Sequence, residues 1–355
     1  MTLDELLDTP CTWFFDHAPS EIAISSRIRL ARNLQGFSFP AHASMEDRIR
    51  IRAHALDVLR KNDHFQEGFF YEMDDVTPFQ KQLLYERSLI SKDLAEECPQ
   101  AGLAVSQDLR DVVMINEEDH LRLQVMRSGL CLEEIWEEIA SVDDDLEAAM
   151  EVAFSEEFGY LTCCPTNTGT GMRAGVMLHL PGLVLMEEIR PVIKGLGKMG
   201  LAVRGLGGEG SDADGFLYQI SNQITLGRSE IDLMQDIQEV VKEVIGHEQN
   251  ARLRLAESKQ AWLKDRVGRA FGVLQNAHVL ASKEALDLLA MVRLGLALEL
   301  LEWDEGHQVE QLMVDVRPAH LQKCANEKLD AEKRDIFRAE WVRSRLADLK
   351  KGRKL

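Results

Sequence analysis

The chain has 355 residues, 45% of them hydrophobic, with 60 Asp and Glu against 41 Lys and Arg for a formal charge of −19. That length and apolar content provide for one large domain, or a large one and a smaller one, each with its own core, and exclude a disordered chain. The acidic excess argues against a general binder of phosphate backbones, which needs clustered positive charge; it either keeps a cytosolic protein soluble or draws in cationic protein substrates.

The opening residues Met1-Thr2-Leu3-Asp4-Glu5 carry no basic stretch followed by an apolar one, and no run approaches the length that crosses a membrane. The cysteines Cys11, Cys98, Cys131, Cys163, Cys164 and Cys324 form no CxxC pair and no zinc-site spacing. A reduced cytoplasmic compartment, free thiols, no membrane segment and no structural metal site are therefore expected.

Ser44 with Asp47 predicts a helix start, followed by Ile49, Ala53, Leu56 and Leu59 at helical spacing. Leu121, Leu123 and Val125 alternate with Arg122, Gln124 and Met126, which predicts a half-buried strand with Arg122 and Leu123 on opposite faces. The glycine-dense stretches at residues 168–171 and 205–210 predict loops. Neither matches a P-loop or a dinucleotide fingerprint, so their glycines either make tight turns or admit a ligand to the backbone.

A second half-buried strand is expected from Phe216 to Ile224. Ser229 with Asp232 then caps a helix carrying Leu233, Ile237, Val240 and Val244. Near residue 255 the texture changes, and only helical patterns follow: Leu263, Val267, Ala270 and Leu274; Ser282 as a cap before Ala285, Leu289, Val292 and Leu296; and a charged last helix with Phe337 and Trp341. These patterns predict an α+β domain followed by a helical one.

Two segments carry the chemistry: Asn116-Glu117-Glu118-Asp119-His120-Leu121-Arg122, and Cys164-Pro165-Thr166-Asn167-Thr168-Gly169-Thr170-Gly171-Met172-Arg173. Carboxylates and arginines at the ends of short apolar runs suit a site that handles two opposite charges. Arginine forks match the oxygens of a polyanion such as a nucleotide triphosphate, and carboxylates match a cationic acceptor, for which a guanidinium is the prediction.

These segments, with Ser25-Ser26-Arg27-Ile28-Arg29-Leu30-Ala31-Arg32, resemble the phosphagen (guanidino) kinases, and within them the bacterial protein-arginine kinase branch. The first segment is similar to the family's NEEDHLR motif, the second to its CPTNxGT signature, and the third to its early arginine pair. Two features favour that branch. The arginine pair sits at residues 27 and 29, which implies that the helical domain preceding it in the small-molecule enzymes is absent. Asp265-Arg266-Val267-Gly268-Arg269-Ala270, Glu284-Ala285-Leu286-Asp287-Leu288-Leu289 and Arg334-Asp335-Ile336-Phe337-Arg338-Ala339 resemble its extra C-terminal domain.

The resemblance implies a glutamine-synthetase-like catalytic domain over residues 1–255, with a central antiparallel sheet flanked by helices, and an all-helical C-terminal domain over 256–355. It implies ATP as phosphoryl donor, held by Arg27, Arg29, Arg122, Arg173 and Arg204, with Mg²⁺ bound through phosphate oxygens and water rather than by a protein cage. Glu118 is then the base and Asp212 its partner, together gripping the acceptor arginine of a protein, with Cys164 adding negative charge beside it as a thiolate. Gly207 stands where the small-molecule enzymes carry a further arginine.

Glu117 and Asp119 are read as supports for the loop, and His120 as a packing and hydrogen-bonding residue rather than an acid–base group. Arg334, Asp335 and Arg338 are expected to form a phosphoarginine-binding, allosteric pocket. Further expectations from the resemblance are marking of proteins for a Clp chaperone-protease in protein quality control and stress response, an activator protein, a homodimer, and no direct nucleic-acid partner. A kinase of free arginine, or a weakly catalytic phosphoarginine-binding adaptor, are the alternatives.

Overall fold

The computed structural model describes residues 3–9, 21–96, 98–205, 208–209, 213–303, 308–347 and 350–351. In chain order its strands are β1 (Ala23–Arg32), β2 (Phe69–Glu72), β3 (Gly102–Val105), β4 (Asp111–Ile115), β5 (Leu121–Ser128), the hairpin pair β6 (Phe154–Ser155) and β7 (Gly159–Tyr160), β8 (Met172–His179), β9 (Leu201–Gly205), β10 (Gly208–Glu209), β11 (Leu217–Asn222), β12 (Leu301–Glu302) and β13 (Lys350–Lys351). Nine form one sheet in the order β10-β9-β11-β8-β1-β5-β4-β3-β2. The ladders β1–β5, β5–β4, β4–β3, β3–β2 and β9–β10 are antiparallel.

The helices are α1 (Leu3–Asp8), α2 (Met45–Leu59), α3 (Pro78–Glu86), α4 (Lys92–Glu96), α5 (Leu132–Ala149), α6 (Pro181–Leu185), α7 (Ile189–Lys198), α8 (Glu230–Ser258), α9 (Gln260–Asn276), α10 (Ser282–Ala297), α11 (Gln308–Asp315), α12 (Pro318–Ala325) and α13 (Ala331–Arg345). By internal contacts the chain falls into two compact units. One comprises Met1–Ala18, Ser25–Val176 and Ser221–Glu239, and the other Pro19–Ile24, Met177–Ile220 and Val240–Leu355.

In the first unit the strand period of two sorts side chains between faces. Ile28 and Leu30 of β1 and Leu121, Leu123 and Val125 of β5 share one face and are at most 1% exposed. Helix α5 packs on β5 with its own buried row, Ile135, Ile139, Val142 and Leu146. Two charged ties lie on the same side: Arg127 to Glu138 at 2.7 Å, and Arg32 to Asp143.

The other face of β5 is more enclosed than a half-buried strand, because Gln124 there donates to the Ser88 carbonyl at 2.8 Å and Met126 is buried as well. The predicted strand from Phe216 to Ile224 narrows to β11, since Asp214–Phe216 is a 3-10 turn.

Ser44 accepts the Asp47 N–H at 3.1 Å and Ser229 accepts that of Asp232 at 3.1 Å, so both expected helix starts form. The buried stripe of α2 is rotated from the expected one. It runs Ile51, Arg52, Ala55, Leu56 and Leu59, while Ile49 is exposed. Arg52 belongs inside because its stem packs against Gly102 and its head pairs with Glu72 and Asp74 at 2.7 and 3.1 Å.

In the second unit α9 packs on α10; Leu263, Val267, Ala270 and Leu274 are buried in the first and Ala285, Leu289 and Val292 in the second. Ser282 is not the cap. It is already helical, with Ala281 at the cap position, where the Leu280 N–H is tied to the Asp335 carbonyl at 3.0 Å. The tail is also not purely helical, since β12 and β13 pair.

A buried polar network organises this unit. Glu248 accepts the N–H groups of Gly182 and Leu183 at 2.8 and 2.9 Å and the Arg252 Nε at 2.7 Å. Arg293 pairs with Glu310 at 2.7 Å, donates to the Glu21 carbonyl at 2.7 Å and meets His179 Nδ1 at 2.9 Å. Among the described residues no helix is long and apolar enough to cross a membrane.

Candidate active site

Three neighbouring strands, β8, β1 and β5, bring four of the expected arginines together. The β1–β5 register sets Arg27 opposite Met126, Arg29 opposite Gln124 and Ala31 opposite Arg122. Cross-strand partners share a face, so Arg27, Arg29 and Arg122 emerge on one side, and the small Ala31 leaves Arg122 diagonal to Arg29. Arg32, one residue further, emerges on the opposite side, facing α5.

Electrostatics confirm the crowding. Arg27 is pulled down to about 10, first by burial and then by Arg173 and Arg122. Arg29 is pulled well below its ordinary value by burial and by Arg27, Arg122 and Arg173, with Glu117 opposing. Both side chains keep accessible surface while protein atoms and like charges surround the rest. Cations forced together in this way are stabilised by an anion with several oxygens.

Arg122 differs, because carboxylates hold it. Its Nη1 lies 2.6 Å from Glu117 Oε2 and its Nη2 2.8 Å from Glu118 Oε2. Burial lowers it, but Glu117, Glu118 and Asp119 outweigh burial and its pKa rises. The Glu117 side chain is fully buried, whereas that of Glu118 is 38% exposed. Glu118 is thus the carboxylate that an incoming group can reach, and it already sits at hydrogen-bond distance from a guanidinium.

The loop between β4 and β5 gives this geometry. Asn116 adopts a left-handed conformation with φ 57°, donates its N–H to the His120 carbonyl at 2.9 Å, and sends its side-chain amide to the carbonyls of Arg48 and Gln100, each at 2.8 Å. Asp119 ties this loop to the second motif. Its Oδ1 accepts the Asn33 amide at 2.7 Å and the Cys163 N–H at 2.8 Å.

His120 is fully buried, accepts the Leu34 N–H on Nδ1 at 3.0 Å and meets the Ser38 carbonyl through Nε2 at 3.1 Å. Nδ1 is therefore the unprotonated nitrogen and Nε2 the donor. Burial lowers its pKa, and with both nitrogens engaged it supports the loop, as the packing reading expected.

Cys164 lies on the loop that Asp119 anchors, half-buried, with Sγ 3.0 Å from Thr166 Oγ1. Thr162 donates to the Cys164 carbonyl at 2.7 Å, and Thr225 donates to the carbonyls of Thr166 and Thr168 at 2.9 and 2.7 Å. Burial, then Asp119, pushes the neighbouring Cys163 up to about 12, so it stays a thiol. A Cβ on Gly169 would lie 2.3 Å from the Thr225 carbonyl, so this glycine answers a close backbone approach and needs no ligand.

Arg32 is a positioning residue that sequence reading passed over. Its guanidinium, 2% exposed, holds Asp143 at 3.0 and 2.5 Å, donates to the carbonyls of Ala31 and Thr170 at 2.9 and 3.1 Å, and lies 3.4 Å over the Tyr160 ring. It joins β1, α5 and the Cys164 loop. The period of two from Arg27 and Arg29 already signalled that Arg32 faces away; its partner, 111 positions distant in the sequence, gave no signal.

Arg204 lies exposed on β9 in the second unit. Asp212 and Gly207 lie outside the described residues. On α13, Arg334, Asp335 and Arg338 come together, but Arg338 is turned inward, 1% exposed. It donates to the carbonyls of Val316 and Leu280 at 2.8 and 2.7 Å and pairs with Asp335. Arg334 keeps accessible surface and donates to the Leu329 carbonyl at 2.9 Å. Arg338 is thus a strut between helices, not an open fork. Among the described residues no group of three His, Cys, Asp or Glu side chains is placed to hold a metal ion.

Comparison with known proteins agrees with this geometry. Residues 50–251 match the family described as ATP:guanido phosphotransferase, C-terminal catalytic domain, and residues 260–354 match the protein-arginine kinase McsB C-terminal domain. The protein-arginine kinase of Halalkalibacterium halodurans is 44% identical over 332 residues, 93% of each chain. That of Pelotomaculum thermopropionicum is 41% identical, over 98% of this chain and 99% of its own. Among solved structures, a lombricine kinase superposes with a TM-score of 0.57 at 26% identity, covering 68% of this chain and 70% of its own. The duplicated taurocyamine kinase from Schistosoma mansoni does so with a TM-score of 0.59 at 26% identity, over 69% of this chain and 35% of its own.

Proposed function

Since the chain belongs to the ATP:guanido phosphotransferase family, on its protein-arginine kinase branch, we propose that it transfers the γ-phosphoryl group of ATP to arginine side chains of proteins. The observation that carries this reading is the set of like-charged arginines from three adjacent strands, beside the reachable carboxylate of Glu118, which pairs with Arg122 at 2.8 Å and is 38% exposed.

A guanidinium is a poor nucleophile: its pKa exceeds about 12 and its lone pairs are delocalised. No carboxylate deprotonates it in the ground state, so the enzyme must orient it. Glu118 grips the fork, aligns one nitrogen with the γ-phosphorus, and accepts the proton that becomes acidic as the N–P bond forms and the bond to the leaving oxygen of ADP breaks. Arg27, Arg29, Arg122 and Arg173 hold the phosphates and disperse the charge that builds on the moving group. Glu117 keeps Arg122 in place, and Asp119 and Arg32 fix the two loops relative to β1. Mg²⁺ carried in with the nucleotide would supply further neutralisation there.

Arg204 as a fifth phosphate contact and Asp212 as the second carboxylate complete the reading, with Cys164 lining the acceptor position. Its wider parts, likewise proposals, are the marking of proteins for a Clp chaperone-protease in quality control and stress response, an activator protein, a homodimer and a cytoplasmic setting. Phosphoarginine binding on α13 falls to Arg334 with Asp335, with Arg338 bracing them. The catalytic part is assigned to residues 1–255 and the regulatory part to 256–355.

The test incubates purified protein and Mg-ATP with either an unfolded arginine-bearing protein or free arginine, and scores acid-labile phosphoarginine. Product on the protein alone is expected. Product on free arginine alone would make the chain a small-molecule guanidino kinase, and no product on either would leave a binding adaptor.

A further inference from the structure

Two side chains of α10 hold the turn that precedes β11. Asp287 accepts the Gly215 N–H on Oδ1 at 2.8 Å. One helical turn earlier, Lys283 Nζ lies 2.5 Å from Asp214 Oδ1 and 3.7 Å from Asp287 Oδ2. A single ammonium thus bridges carboxylates on two elements. The bond to Asp214, with the charge of Asp287, raises its pKa against the opposing effect of burial.

The turn so held has an uncommon backbone. Gly215 and Phe216 are both left-handed, with φ 66° and 55°, and a non-glycine residue stays there only where its surroundings fix it. The Phe216 N–H donates to the Ala213 carbonyl at 3.3 Å, and its carbonyl accepts the Leu180 N–H at 2.9 Å. A Cβ on Gly215 would lie 3.1 Å from Met313 Cε and 3.4 Å from the Leu286 carbonyl. The turn therefore lies directly against α10 and α11.

Three positions along the chain separate Gly215 from Asp212, the second carboxylate of the function proposed above. Three residues span at most about 11 Å, so fixing the turn limits the reach of Asp212. Stability alone does not account for the clamp. The Lys283 side chain is 60% exposed, and ion pairs so open to water add little to folding. What they set is geometry: without Lys283, Asp214 and Asp287 would face each other as like charges and drive the turn from α10.

We propose that Lys283 and Asp287 are positioning residues for phosphoryl transfer, which fix the turn at Asp214 and Gly215 and through it the carboxylate of Asp212 that grips the acceptor arginine. The inference rests on the function proposed above and gives α10 a part in it. Donor binding belongs to the arginines of β1, β5 and β8, so the clamp acts on the acceptor side alone.

The test measures initial rates of phosphoarginine formation on β-casein, with the full chain. Asp287→Ala is expected to lower kcat/KM for casein about thirtyfold, with KM for ATP within about twofold and Tm within about 2 °C of wild type. Asp287→Asn keeps an oxygen for the Gly215 N–H and should recover all but about threefold, and Lys283→Met should fall between the two. In an Asp212→Ala background, Asp287→Ala should cost less than about twofold more, because the carboxylate through which the clamp acts is already gone. Should Asp212→Ala leave no measurable rate, the recovery by Asn and the contrast between casein and ATP decide alone.

Wild-type kinetics in Asp287→Ala overturn the proposal. So does an equal loss in both backgrounds, or a loss that extends to KM for ATP and follows a lowered Tm, either of which would make the clamp a support of the fold. Asp212→Ala at the wild-type rate overturns it too, since the clamp would have nothing to position. A wild type that forms no phosphoarginine would instead overturn the proposed activity itself.

Discussion

On β1 the guanidinium groups of Arg27 and Arg29 are pulled below their ordinary values by burial and by the positive charges of Arg122 and Arg173, whereas Arg252, Arg293 and Arg338 of the second unit are each bonded to protein oxygens. Arg252 meets Glu248 and the carbonyls of Glu21 and His179, Arg293 meets Glu310 and the Glu21 carbonyl, and Arg338 meets two carbonyls and Asp335. Burial of the guanidinium is common to both groups, so burial alone does not tell a ligand-binding arginine from a structural one. The field does. A cation pressed by like charge, as Arg27 and Arg29 are, holds a place for an anion, a cation bonded mainly to protein oxygens holds the fold together, and Arg122 stands between the two, fixed by Glu117 and Glu118 beside the β1 pair.

The sharpest way to break this comparison is to remove one arginine of each kind. Arg29→Gln and Arg173→Ala are expected to lower kcat/KM for ATP by about 10²–10⁴. Arg29→Gln, relieved of repulsion, should melt no lower than wild type, and a large drop in Tm with activity retained would place Arg29 with the struts.

Arg293→Ala should do the reverse, costing about 3–5 kcal/mol by leaving Glu310 buried without its partner. Denaturant unfolding measures it, and a stability within about 1 kcal/mol of wild type would remove Arg293 from the structural group. Arg338→Ala is expected to cost about 2–4 kcal/mol for the same reason, by stranding the carbonyls of Val316 and Leu280. Phosphoarginine affinity lost in an Arg338→Ala protein of unchanged stability would instead show Arg338 to be an open fork.

A smaller effect sharpens the comparison for a carboxylate. Asp111 is pushed up to about 8, first by burial and then by Glu138 and Asp108. Its folded pKa lies above its unfolded value of 3.8, so between those pH values the unfolded chain releases a proton that the folded chain keeps. Stability is then fully present below about 4 and lost as pH rises toward 8. Asp111→Asn should remove this slope, raising Tm relative to wild type more at pH 8 than at pH 5. Parallel Tm curves for the two proteins would refute the assignment.

How much of this was legible in the sequence follows from how far apart the partners lie. Arg27 and Arg29 could be named because their segment resembles the family's arginine pair, and Arg122 because its motif and strand alternation lie within a few residues of it. Asp119 and His120 as loop supports were legible for the same reason. Arg32 and Arg338 were not, since their partners are Asp143 in one case and Leu280 and Val316 in the other, and chain folding alone brings those together. The stripe of α2 came out rotated because Arg52 counts as polar in a periodicity argument, although its stem packs in the core. Ser282 lost its capping role to a tertiary tie at Leu280 that no local pattern announces.

The division of labour at the site rests on Glu118 gripping the acceptor while the arginines hold the donor. Its most direct test is the rate at which a Glu118→Gln protein, saturated with Mg-ATP, forms acid-labile phosphoarginine on an unfolded protein. A fall of about 10²–10⁴ is expected, because an amide neither pairs with the guanidinium nor accepts its proton. A rate within about twofold of wild type would contradict the account, since the transfer would then proceed without the carboxylate on which it depends.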